Sequence, residues 1–215
     1  MKLRNHSLAI VASLLLSTSS FLGGCATTGM DRSVKTSNSI RDVDSEIRKI
    51  IAQIDVTAKS LDSLVSAENP DLKKSFNIYS DNLDKLDHDG MRVMKRMDEM
   101  KSHSKEYFAE WDKQGVAYTN SELSALSEER RSKLAEIYAR VPAAGAGVKS
   151  SYLAYMTNLK ELKLYLSNDL TPKGVETINP VAKRAVQDME ALKTSLQPVI
   201  TALDEIRAEL YSGKK

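Results

Sequence analysis

Few residues of this sequence have the types and spacing that chemistry needs. His88, Met91, Met94, Met97, Met100 and His103 follow one another at steps of three. Thioether and imidazole groups suit Cu(I), but helical geometry opposes a shared site. Each step of three falls about 60° short of a full turn, so only adjacent members are neighbours, and His88 and His103 would stand about 22 Å apart along one axis. Met97 and Met100 also fall in an apolar register, where flexible thioethers fill gaps in a core. Asp87-His88-Asp89 has the groups of a hard-metal or acid–base site, yet in a helix it reads as a solvated patch beside Gly90. Serines are numerous, but a Ser-His-Asp triad needs a rigid nucleophile turn and an oxyanion hole, and nothing like Gly-x-Ser-x-Gly is present. No glycine loop could cradle a phosphate. The expectation is therefore a non-enzyme with no catalytic residue, no cofactor and no metal site. One nucleophile remains: Cys25 is the only cysteine, so it can form no disulfide within the chain, and its thiolate can form a thioether.

The segment before Cys25 differs from the rest. Lys2 and Arg4 give a positive start, Leu8 to Leu16 is apolar apart from Ser13, and Ser17 to Gly24 is mostly small residues. That is the layout of an export signal, too short for a spanning helix of about 20 apolar residues. Leu22-Gly23-Gly24-Cys25 resembles the lipobox of bacterial lipoproteins. The resemblance implies cleavage after Gly24, a diacylglyceryl group on the Cys25 sulfur and an acylated amine. Two or three acyl chains suffice for stable anchoring. Ala26, where an aspartate would signal retention at the inner membrane, implies transfer to the periplasmic face of the outer membrane.

Composition bounds what the remainder can be. Removing residues 1–24 from 215 leaves 191, enough for one domain with a real core. The formal charge of +2 resides in Lys2 and Arg4, so the rest carries 29 basic and 29 acidic residues. That balance gives no electrostatic reason to bind nucleic acid. Sparse Gly and Pro, with abundant Leu, Ala, Glu, Lys and Ser, point to helix.

Residues 25–32 read as a polar tether, and residues 33–215 as a bundle domain. Ile40, Ile47, Ile54 and Leu61 form one row at seven-residue spacing, and Val43, Ile50, Thr57 and Leu64 form a second. Ile51, Ala58 and Val65 widen the stripe beyond a two-stranded seam. Glu68-Asn69-Pro70 should end this helix, with Pro70 in the first turn of the next. The second helix carries Leu72, Tyr79, Leu86, Val93, Met100 and Tyr107, beside Phe76, Leu83, Gly90, Met97, Ser104 and Trp111; Gly90 and Ser104 are its weak layers. Thr119-Asn120-Ser121-Glu122 has capping-box spacing and should start a third helix. A kink or short break is expected there at Pro142–Gly147. Thr171 should cap a fourth helix, whose apolar residues run from Val175 to Leu210 and whose Pro180 and Pro198 should bend it. Helices this long joined by short turns must run antiparallel, so the expected fold is an all-α, elongated, coiled-coil-like antiparallel four-helix bundle.

Phe108-Ala109-Glu110-Trp111, Tyr118-Thr119-Asn120 with Leu123, and Leu164-Tyr165-Leu166-Ser167-Asn168-Asp169-Leu170 carry a family resemblance. From about Leu72 to Ile206 the chain resembles the helical bacterial family known as domain of unknown function twenty-nine fifty-nine. Asp169 is inserted where that family runs Asn-Leu. The resemblance implies a helical fold and supplies no activity. The functional expectation is a membrane-anchored periplasmic lipoprotein acting as a non-enzymatic interaction or spacer module. It would meet the membrane through the Cys25 lipid and a periplasmic protein through its charged faces, with self-association left open. The alternative is a periplasmic helical protein that senses a ligand or a soft metal.

Overall fold

The two apolar rows of the first segment become the buried face of α1 (Gly29–Leu64). The computed structural model describes residues 29–66, 69–115 and 117–211, and continues with α2 (Leu72–Gly115), α3 (Ser121–Ala144), α4 (Val148–Asn168) and α5 (Pro172–Tyr211). There is no strand among the described residues. Side-chain ties fix the directions. The start of α1 meets the end of α2 through Lys35 and Glu106 (3.2 Å), and the start of α3 meets the end of α5 through Arg130 and Glu209. At the opposite pole, Asn179 of α5 donates to the Val65 carbonyl at 2.9 Å, and Tyr79 of α2 donates to the Leu159 carbonyl of α4 at 2.7 Å. α3 and α4 run the same way and together make the third rod. The architecture is thus an elongated antiparallel four-helix bundle, with α1 and the α3–α4 rod each packed on α2 and α5.

Local chemistry explains where the elements begin and end, and it moves several expected boundaries. α1 already includes Gly29 to Arg32, with Asp31 in its first turn complementing the helix dipole. Pro70 lies outside α2. Asp71 starts that helix instead, accepting from the Lys74 N–H, while the Asn69 amide donates to the last carbonyls of α1 at Ser63 and Leu64. The cap of α3 is Asn120 rather than Thr119; its side chain accepts from the N–H groups of Glu122 and Leu123. Thr171 accepts from the Gly174 N–H and caps α5 as expected. α5 runs continuously through Pro180 and Pro198. The weak point of the third rod is a true break: Pro142 lies in the last turn of α3, Gly145 closes it, and Gly147 takes φ 86°, the left-handed region that favours glycine.

Packing around α2 is uneven along its length. Its first half is gripped on both sides, with Tyr79, Leu83 and Leu86 fully buried. Past Gly90 the same face carries Val93, Met94, Met97 and Phe108, all only half-buried. On its α1 side the approach is close and partly polar: Gln53 donates to the Asn82 carbonyl at 3.1 Å, and the buried Thr57 hydroxyl donates to Gln53 O of its own helix at 2.8 Å. A gap is left on the other side.

Candidate functional site

The gap is a pocket of about 420 Å³ between α2 and the α3–α4 rod, floored by Ile47 and Ile50 of α1 and by Leu192, Leu196 and Val199 of α5. The methionine stripe supplies one wall through Met94, Met97 and Met100, and the helix break supplies the facing one through Pro142, Gly145 and Val148. Its ends are aromatic. At one, Phe108 meets Tyr138 edge-on, ring centroids 5.3 Å apart. At the other, Tyr152 crosses from α4 to donate to the Leu86 carbonyl at 2.7 Å. Gly90 is the socket for that ring: a Cβ there would stand 2.6 Å from Cε1 of Tyr152 and closer still to Cζ and the hydroxyl.

Few polar groups face this space, and two of its hydroxyls are engaged with helix carbonyls. Ser104 donates to the Met100 carbonyl at 2.7 Å, and Tyr152 is held by Leu86. Burial pushes the phenols of Tyr79, Tyr152 and Tyr155 well above the ordinary tyrosine range, because the phenolate would lose its hydration. All three remain neutral, and Tyr79 and Tyr152 serve as structural donors to helix carbonyls. Charge gathers only at the opening, where Lys101, Lys105 and Lys149 stand with Asp98. Among the described residues, none of these four forms an ion pair, whereas ten other lysines do.

The remaining candidates scatter. Asp87-His88-Asp89 divides three ways: Asp87 pairs with Lys160 of α4 at 2.8 Å, and the His88 side chain is 64% exposed. Asp89 corrects the reading of a solvated patch. Its side chain is only 2% exposed and is held by Lys85 at 2.8 Å and Arg92 at 2.6 Å, and Arg92 reaches on to Glu46 of α1. Met91 points outward. His103 lies in a separate polar cavity of about 180 Å³ with Lys35, Asp42, Arg96 and Glu99. Neither histidine therefore joins the methionine wall. No group of three or more His, Cys, Asp or Glu could hold a metal ion among the described residues. Cys25 lies outside the described residues.

Over residues 29–210 the chain matches the family described as protein of unknown function (DUF2959). The chain belongs to that family. The match takes in α1 as well as the region that carries the motifs, and with it the whole pocket. No curated protein and no solved structure matches the chain.

In this DUF2959 member the motif residues serve helix junctions. Trp111 donates to Ser127 Oγ at 2.8 Å across the α2–α3 turn, Asn120 caps α3, and the inserted Asp169 accepts from Thr171 Oγ1 at 2.7 Å ahead of α5. Spacing in the sequence picks out most of the pocket's apolar lining, but neither the pocket nor Lys101, Lys105 and Lys149 at its opening. Gly90, Ser104 and Gly145 occupy core register positions without filling them, and that shared deficit was the available signal.

Proposed function

We propose that this protein is a membrane-anchored periplasmic lipoprotein whose bundle is a non-enzymatic binding module, holding a small apolar molecule in the pocket between α2 and the α3–α4 rod. The pocket carries this reading. It is concave, mostly apolar and within the range of about 300–1,000 Å³ usual for ligand sites, and the Ser104 and Tyr152 hydroxyls are spent on helix carbonyls rather than poised for chemistry. Methionine suits such a wall, because an unbranched thioether adapts to irregular partners. The anchor part rests on Leu22-Gly23-Gly24-Cys25 and its leader; among the described residues no helix is long and apolar enough to cross a membrane. On this reading Cys25 carries the lipid, and the outer membrane's periplasmic face is the destination.

Two measurements test it. Cys25→Ser should abolish palmitate labelling and release the protein from the membrane pellet; retention of both would remove the anchor. A neutral environment-sensitive dye should bind at one saturable site. Ser104→Leu, which places an apolar side chain in the pocket where the register already calls for one, should abolish that binding while leaving the helical signal intact. Unchanged dye binding in Ser104→Leu would remove the pocket as the binding site.

A further inference from the structure

The pocket has a direction and a charged mouth, and together they specify its occupant more narrowly than "apolar". Its α2 lining runs from Gly90 to Phe108, about 27 Å of helix, whereas a sphere of 420 Å³ would be only about 9 Å across. The space is a channel along the bundle, shaped for a chain rather than a compact ring system. Val93, Met94, Met97 and Phe108 line its length. Beside them Lys101 and Lys105, one turn apart on α2, face Lys149 at the start of α4. With Asp98 included, the opening carries a net charge of two positive units, and no described acidic residue neutralises its lysines by an ion pair. Ten of the other fourteen described lysines are ion-paired, whereas the three ammonium groups around this one apolar mouth are not, which leaves an anion's place unfilled.

Resting on the binding reading above, we propose that the pocket takes a single-chain anionic amphiphile. Its hydrocarbon lies along the methionine wall, and its carboxylate or phosphate head sits among Lys101, Lys105 and Lys149. A long stem lets each lysine cover apolar surface while its ammonium stays at the solvent boundary, so the three can close on a head group without entering the channel. Lysine suits this task as a movable point charge that serves carboxylate and phosphate alike.

The test uses methionine oxidation as a map. The full chain, reconstituted in nanodiscs, is treated with dilute peroxide in the presence of dodecanoate, dodecyl phosphate or dodecanol, and each methionine is read by peptide mass spectrometry. Both anionic probes should protect Met94 and Met97 and leave the outward-facing Met91 unprotected. Dodecanol should need about tenfold more probe for equal protection, since each exposed charge contact adds little alone but three act together. In Lys101→Gln/Lys105→Gln/Lys149→Gln that preference should vanish; these exposed side chains make no ion pair, so the fold should persist by circular dichroism. If that variant does not fold, Lys149→Glu alone should reduce the preference. Equal protection by dodecanol and dodecanoate, or a preference that survives neutralisation, would overturn the anionic head group while leaving an apolar-binding pocket. Protection by dodecanoate alone, or by dodecyl phosphate alone, would replace the shared anion site with one built for that head. Failure of all three probes to protect Met94 and Met97 would remove both readings.

Discussion

Gly90→Ala puts a number on the contact between α2 and α4. Helix propensity alone makes alanine better than glycine in a helix interior by about 0.8–1 kcal/mol, so a reader of the sequence expects a gain. The structure reverses the sign. The new Cβ would overlap the Tyr152 ring, 2.6 Å from Cε1, and that ring is buried and tied to the Leu86 carbonyl. Forcing extra volume into a packed site costs about 1–3 kcal/mol, and losing a phenol–carbonyl bond costs about 1 kcal/mol more. After subtracting the propensity gain, the net is a destabilisation of about 1–3 kcal/mol, or roughly 2–4 °C in Tm per kcal/mol for a chain of this size. Urea unfolding followed by far-ultraviolet circular dichroism measures it. Gly115→Ala, where an added Cβ meets nothing within 4 Å, is the control and should change stability by no more than a few tenths of a kcal/mol. In a Tyr152→Leu background the sign should flip back toward the propensity gain, because the ring is no longer there to displace. A Gly90→Ala protein as stable as the parent, or an unchanged effect in the Tyr152→Leu background, would refute the argument.

Three further outcomes follow from the same structure. The raised phenols of Tyr79, Tyr152 and Tyr155 bind their protons more tightly in the fold than out of it. Their contribution is complete below about pH 10 and is lost above it, so these three should form tyrosinate, by ultraviolet absorbance, only as the helical signal collapses. Glu46 works in the opposite direction. Hydrogen bonds from Lys49 and then Arg92 hold its carboxyl below the usual 4.5, so its stabilisation is present above that pH and is lost as the pH falls through its folded value; Glu46→Gln should flatten this acid limb in urea titrations. Hydrogen exchange should be fastest within the third rod at Pro142–Gly147, where most residues are exposed and the helix is interrupted. Exchange there as slow as at Ala185–Ile206 would mean the break is locked.

The heptad rows were legible because each helix writes its own buried face in its spacing. Ile40 to Leu61 and Val175 to Ile206 needed no knowledge of a neighbour. The break at Gly145–Gly147 was legible for the same reason, since Pro and Gly act on their own backbone. What sequence spacing does not carry is the distance between helices. Gly90 read as a thin layer until Tyr152, sixty-two residues later, filled it. The Asp89 carboxylate read as solvated, yet it is buried because Lys85 and Arg92 come with it, and only the close approach of α1 brings Glu46 to the same guanidinium. The pocket belongs to this class. Its walls are local residues, but its width depends on how far Phe108, Tyr138 and Tyr152 keep α2 from the α3–α4 rod.

The antiparallel topology also has an electrostatic consequence. The start of α1 and the end of α5 leave the bundle at one pole, beside Gly115 at the end of α2. Lys101 and Lys105 stand about 15–21 Å along α2 from that pole. The Debye length at physiological ionic strength is about 8 Å, so if the proposed anchor held a bilayer at that pole, its charge would be largely screened before reaching the mouth. The three lysines would then sense the head group of what enters the channel, and hardly the lipids beneath it. On the proposed anchoring, an amphiphile reaching them would have left the bilayer plane and crossed water, which would make its monomeric solubility, rather than its abundance in the membrane, the quantity that sets how often the pocket fills.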